Sequence, residues 1–126
     1  MSIAAAQYDK FREQVATEER VFTFTDGADL LVYPARDGNT VPFWSSQARL
    51  VTIQKRLPKY RAYTVTELSL TDFFRRLDRL ERDGFLVGVN WSGAALVGYN
   101  VPAADLRAAL AWWLNHLGKA VPTGSF

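Results

Sequence analysis

The chain has a single histidine, His116, and histidine is the side chain best suited to act as a general base near neutral pH. A Ser-His-Asp system would need His116 in that role. The residue falls near the end of the last predicted helix, where a cationic side chain also interacts favourably with the helix dipole. Because a lone residue type gives no geometry for a triad, we interpret His116 as a surface or helix-end residue and predict no catalytic residue.

The other chemical signals are equally weak. Acidic pairs occur at Glu18-Glu19, Asp78-Glu81 and Glu81-Asp83, each beside arginines on a predicted outer helix face, which indicates a salt-bridged surface rather than a glycosidase-type pair. The glycines match no dinucleotide or phosphate loop. The absence of cysteine excludes thiol catalysis and disulfides, and no acidic or histidine cluster has metal-ligand spacing. We therefore expect neither a metal nor a cofactor, and a protein that is not an enzyme.

A basic segment is the main candidate for binding. No acidic residue lies between Asp37 and Glu67, although the whole chain carries a net charge of only +2. This segment, the expected partner-binding surface, contains Arg49, Lys55, Arg56, Lys59 and Arg61. It could contact nucleic-acid phosphates, but the low net charge and the lack of a recognition motif favour an acidic protein partner or a solvated face.

The tryptophans suggest a second interface and an alternative site. On the predicted last helix, Trp113 shares the apolar face with Leu106, Leu110 and Leu117, so Trp112 points about 100° away. An exposed Trp112 could anchor a partner or a homodimer, and the alternative is packing against the C-terminal tail or a wide helix–sheet contact. If the protein instead binds a small ligand or is an enzyme, we expect an aromatic-lined pocket formed by Trp44, Tyr60, Tyr63 and Trp91.

The hydrophobic periodicity predicts an α+β fold, a single domain over 1–118 with a mixed or antiparallel sheet flanked by about four helices, and a flexible tail over 119–126. Four helices are predicted. The first covers 3–18 with Ser2 as N-cap, and the second begins at Ser45 or Ser46 and runs to Leu57. The third lies between the cap Ser69 and Gly84, and the fourth runs from Pro102 to Gly118. The predicted strands cover 21–25, 30–34, 40–44, 60–68, 85–91 and 96–101, the first three as an antiparallel meander and 85–91 as a central strand.

Four sequence motifs, in order, resemble a known family. They are P-F-W-S-S-Q-A at 42–48, E-L-S-L-T-D-F at 67–73, L-E-R-D-G-F-L-V-G-V-N-W at 80–91 and V-P-A-A-D-L at 101–106. From Tyr8 to Leu114 the chain resembles the bacterial domain-of-unknown-function family numbered 2750, except that Ala28 and Asp29 follow Gly27 where the family has an aromatic residue. The first motif is also similar to the N-terminal domain of SseB-like proteins. The resemblance implies a small bacterial α+β protein and no known activity.

No stretch of about 18 apolar residues exists, and the first ten residues lack a signal-peptide pattern, so we expect a cytoplasmic protein without a membrane span. Taken together, the sequence predicts a non-catalytic protein–protein interaction module, accessory or immunity-like, that binds an unknown and possibly acidic partner. A small-ligand-binding protein or enzyme with an aromatic pocket is the first alternative, and a weak nucleic-acid binder acting through residues 49–61 is the second.

Overall fold

The computed structural model describes residues 3–122. In chain order the elements are α1 (Ile3–Glu18), β1 (Arg20–Asp26), β2 (Asp29–Leu30), β3 (Tyr33–Ala35), β4 (Gly38–Phe43), α2 (Gln47–Arg56), a 3₁₀ turn (Pro58–Ala62), β5 (Thr64–Ser69), α3 (Leu70–Arg82), β6 (Leu86–Ser92), β7 (Val97–Pro102) and α4 (Ala103–His116). Four helices and two sheets confirm the predicted α+β class. The predicted Ser2 cap lies outside the described residues.

The strands form two sheets, with orders β2-β1-β5 and β3-β4-β6-β7. All neighbours are antiparallel except β4 and β6, which run parallel. A backbone bridge between Phe22 of β1 and Trp44 joins the two sheets, because each residue's N–H donates to the other's carbonyl, at 2.9 and 2.8 Å. The strand β6 lies between β4 and β7, which confirms the prediction of a central strand.

The predicted antiparallel meander of the first three strands is wrong. The segment expected as one strand over 30–34 divides into β2, which pairs with β1, and β3, which pairs with β4 in the other sheet. The strand β4 then pairs with β6 rather than returning to the first hairpin. A local alternation pattern specifies an extended segment but not its neighbour, and these pairings depend on packing across the whole domain.

Helices cover both faces of the sheets. Buried side chains of α1, α3 and α4 pack with Val21, Val41, Phe43, Val87 and Val89 in the larger core cluster. On the opposite face, Leu50 and Ile53 of α2 pack with Phe24, Trp44 and Trp91 in the smaller cluster. Each cluster removes a set of large apolar side chains from water, which is the main stabilising contribution to such a fold.

The helix α3 follows its sequence pattern closely. The Ser69 hydroxyl accepts a hydrogen bond from the Asp72 amide at 3.1 Å, as in a capping box. The expected apolar face is buried, and it consists of Leu70, Phe73, Phe74, Leu77 and Leu80. Gly84 has a φ of 73°, the left-handed conformation that a helix C-terminus favours.

Two details of the last helix differ from the prediction. Pro102 precedes α4 as its N-cap instead of occupying the first helical position, and the helix ends at His116. Leu114 completes the buried face with Leu106 and Leu110, whereas Leu117 is exposed, because Leu117 lies beyond the last helical turn. The described part of the predicted tail contacts the domain, since the Lys119 ammonium donates to the carbonyls of Ala16 and Thr17.

Candidate functional site

The helix α2 holds most of the basic segment. Ser46 is its N-cap, and its apolar side faces the smaller core cluster through Leu50 and Ile53. The remaining sides carry Arg49, Lys55 and Arg56, and of these Lys55 and Arg56 are exposed whereas Arg49 is partly buried. Arg49 and Arg56 are seven residues apart, which is two helical turns, and they therefore lie along the same edge of α2.

A groove lies between this edge of α2 and the turn that joins β6 to β7. Its volume is about 310 Å³. The helix side is formed by Arg49, Thr52, Ile53, Arg56 and Leu57, and the turn side by Trp91, Ser92, Gly93 and Ala94. The groove thus combines an apolar floor, two hydroxyl groups and two guanidinium groups.

The arginines of the groove have no acidic counterpart in the described part of the chain. Within residues 3–122, no carboxylate forms an ion pair with Arg49 or Arg56, nor with Lys55 or Lys59. Arg49 is partly buried, and this burial lowers the pKa of its guanidinium from the usual value, because desolvation disfavours the charged form. An anion in the groove would offset that desolvation.

Two members of the basic segment have contacts of their own. The Arg61 guanidinium donates to the carbonyls of Gln54 and Lys55 at 2.8 and 3.2 Å, so Arg61 caps the C-terminal end of α2. The Lys59 ammonium lies 5.2 Å from the centre of the Tyr60 ring. The structure therefore brings Arg49 and Arg56 into one groove and gives Arg61 a structural role.

The four aromatic residues of the alternative pocket lie in the smaller core cluster or pack against it. Trp44 and Tyr60 are buried, Tyr63 is half-buried, and only Trp91 lines the groove. Most of these rings pack on one another and on Phe24. The structure therefore does not bring the four rings together in the groove, and of the four only Trp91, itself 4% exposed, lines it with Arg49 and Arg56.

A buried polar network supports the wall of the groove, and the sequence analysis did not predict it. The Trp44 indole donates to the Trp91 carbonyl at 2.8 Å, and the Trp91 indole donates to Asn100 Oδ1 at 2.9 Å. The Ser45 amide donates to Asn90 Oδ1 at 2.9 Å, and Asn90 Nδ2 donates to Ser45 Oγ at 3.1 Å. The only available signal was that Trp44-Ser45 and Asn90-Trp91 each lie in one of the motifs that resemble the family.

The aromatic cluster on α4 is a separate surface. Trp112 is 59% exposed, which agrees with its predicted position away from the buried face. Its ring stacks on His116 with centroids 5.2 Å apart, and His116 also contacts the edge of Trp113. Within residues 3–122, no group of three or more histidine and acidic residues could hold a metal ion.

The fold and the groove define a small α+β protein with a cationic surface groove. The family model described as "Protein of unknown function (DUF2750)" matches residues 8–110, and the chain belongs to this family. No curated protein and no solved structure matches the chain. Among residues 3–122, none of the helices is both long enough and apolar enough to cross a membrane.

Proposed function

We propose that this protein is a non-catalytic interaction module that binds an acidic segment of a partner protein on the α2 face. The observation that carries the proposal is the partly buried Arg49 guanidinium, which has no carboxylate partner in residues 3–122 and shares a groove with Arg56. A charge in this position costs desolvation energy in the free protein and is compensated when an anion binds.

The extent of the charge favours a protein over a small molecule. Lys55 and Lys59 are exposed and lie outside the groove, so the cations extend beyond the roughly 310 Å³ that a small ligand would fill. Acidic and basic surfaces attract one another during encounter, and the attraction decreases with salt. The proposal includes an accessory or immunity-like role in the bacterial cytoplasm. The cytoplasm is a reducing compartment, and a chain without cysteine needs no disulfide there.

The test compares variants as bait in lysate of the source bacterium. The double variant Arg49→Gln/Arg56→Gln should lose a partner that the wild type retains, and the affinity for that purified partner should decrease at least about tenfold, or about 1.4 kcal/mol. The matched control Lys10→Gln/Arg36→Gln removes two exposed charges elsewhere. Equal retention by both double variants, or binding independent of salt, would contradict the proposal.

A small anionic ligand is the second candidate, favoured by the two guanidinium groups and the two hydroxyl groups that the groove combines. A thermal-shift screen of carboxylates and phosphates tests it. A ligand that stabilises the wild type but not Arg49→Gln/Arg56→Gln, together with a bait that retains no protein, would replace the protein-partner proposal.

Because Trp112 is exposed, we separately propose that two copies of the chain form a homodimer through this residue. An exposed Trp can bury a large area at low cost in side-chain entropy when two copies meet. Trp112→Ala should then reduce the mass measured in solution to that of one chain. A wild type that is already monomeric at high concentration would contradict it.

A further inference from the structure

The sheet edges of this protein are not equally protected against pairing with another strand. The strand orders place β2, β5, β3 and β7 at edges within residues 3–122. The strand β2 has two residues, β3 has three and contains Pro34, and β7 follows a register shift and ends at Pro102. Short length, proline and bulges are the features that discourage edge-to-edge pairing.

The strand β5 has none of these features. It spans Thr64–Ser69, contains neither proline nor lysine, and pairs with β1 in six consecutive positions without a bulge. No residue of β5 is buried, although it forms half of a regular antiparallel pair. Within residues 3–122, no strand pairs with its second edge. A regular edge strand of this kind is a template for an added strand.

The backbone groups at this edge follow from the pairing of β1. Phe22 exchanges hydrogen bonds with Trp44, and the Phe24 carbonyl accepts from the Leu31 amide, so these two residues direct their backbone away from β5. The ladder between β1 and β5 therefore uses the intervening residues, whose partners are Thr64, Thr66 and Leu68. The N–H and C=O groups of Val65 and Glu67 consequently point towards the free edge of β5.

Basic side chains line a groove beside this edge. The groove has a volume of about 350 Å³ and lies between α3 and Leu68, the β5 residue that packs towards the larger core cluster. Its α3 residues are Asp72, Arg75, Arg76 and Arg79, so three cations face one acid. Asp72 lies 3.6 Å from Arg75 and neutralises only part of this charge.

We propose that the free edge of β5 binds an extended acidic segment of a partner protein by strand addition, with Arg75, Arg76 and Arg79 holding its carboxylates. Side chains on an added strand alternate between the two faces, so every second residue of the segment faces the α3 groove. The segment therefore carries Asp or Glu at alternate positions. A second copy of β5 is a poor occupant, because it would bring two sets of arginines together.

The test is an NMR titration of ¹⁵N-labelled protein with a peptide of alternating Glu and Thr, and a peptide of alternating Lys and Thr is the control. The Glu peptide should shift the amide resonances of Val65, Glu67 and Ser69 and slow the hydrogen exchange of the first two. The Lys peptide should do neither. No binding of the Glu peptide at millimolar concentration, or shifts confined to other residues, would overturn the proposal.

Glu67→Pro removes the edge amide without removing a bond of the β1–β5 ladder, and a proline is tolerated at such a position. The affinity of Glu67→Pro for the Glu peptide should be at least about tenfold lower than that of the wild type. The control Glu67→Ala loses only the ion pair with Arg20, so its affinity for the peptide should not decrease. Unchanged near-ultraviolet circular dichroism shows that Glu67→Pro is folded. Equal binding by the two variants would overturn strand addition.

Two triple variants test the contribution of the arginines of α3 to binding. Arg75→Gln/Arg76→Gln/Arg79→Gln should lose affinity for the Glu peptide, whereas the matched control Lys10→Gln/Arg36→Gln/Arg82→Gln should not. Arg49→Gln/Arg56→Gln should leave this titration unchanged, so a failure at β5 is distinguishable from a failure of the α2 proposal. If the wild type has twice the mass of one chain in solution and Glu67→Pro is monomeric, a second copy occupies the edge. That result would overturn the proposal of an acidic partner.

Discussion

The indole ring of Trp91 lies over Gly88, in the space that a β-carbon on residue 88 would occupy. That atom would come within 2.5 Å of Trp91 Nε1 and 2.6 Å of Cζ2. Residues three apart on a strand normally face opposite sides of the sheet. Asn90 has a φ of 49° at a register shift, and this turn of the backbone brings Trp91 onto the same face as Gly88.

Gly88→Ala should therefore destabilise the protein. The ring cannot withdraw easily, because it also contacts Gly98 and donates to Asn100. We expect a loss of about 1–3 kcal/mol in the free energy of unfolding, as for other overpacked cores. Urea denaturation measures it, and the same substitution in a Trp91→Ala background should cost much less. An equal cost in both backgrounds would show that the ring is not the obstacle.

Asn90 combines a left-handed backbone with hydrogen bonds to Ser45, and two substitutions separate these roles. Asn90→Gly keeps the backbone conformation and loses the side-chain bonds, whereas Asn90→Ala loses both. The free energy of unfolding should decrease in the order wild type, Asn90→Gly, Asn90→Ala, with about 1–3 kcal/mol lost at the first step. Equal stability of the two variants would mean that the backbone conformation costs alanine nothing.

Arg61 should affect stability more than partner binding. Its guanidinium caps the carbonyls of Gln54 and Lys55, so Arg61→Ala should lower the thermal midpoint, with a loss of about 0.5–1.5 kcal/mol. Lys55→Ala, which removes an exposed charge from the same helix end, is the control and should change stability by less than about 0.5 kcal/mol. Thermal denaturation of both variants tests this, and equal midpoints would contradict the capping role.

We expect Tyr60 to make the protein less stable at alkaline pH. Burial, together with the neighbouring Tyr33, raises the pKa of Tyr60 from 10.0 to about 12. Above pH 10 the unfolded chain loses this proton while the folded chain keeps it, so stability is constant below pH 10 and decreases between pH 10 and about 12. The slope is about 1.4 kcal/mol per pH unit for one group. Tyr60→Phe should reduce this slope in urea titrations; an unchanged slope would assign it to other groups.

The sequence alone determined the features that depend on neighbouring residues in the chain. The α3 helix followed from the spacing of Phe73, Phe74 and Leu77 and from the capping pattern at Ser69 and Asp72. The central position of β6 followed from its continuous apolar run. These signals are local because a helix or strand must bury one side whatever it packs against.

Only the tertiary structure decided which distant segments meet. The parallel pairing of β4 with β6 and the change of sheet between Leu30 and Tyr33 have no local signature. The same holds for the groove, where Arg49 and Arg56 meet Trp91, and for Arg61, whose sequence signal was only a positive charge. Charge and hydrophobicity are properties of single residues, whereas a hydrogen-bond partner, a partly buried cation or a free sheet edge exists only after the chain has closed its long-range contacts.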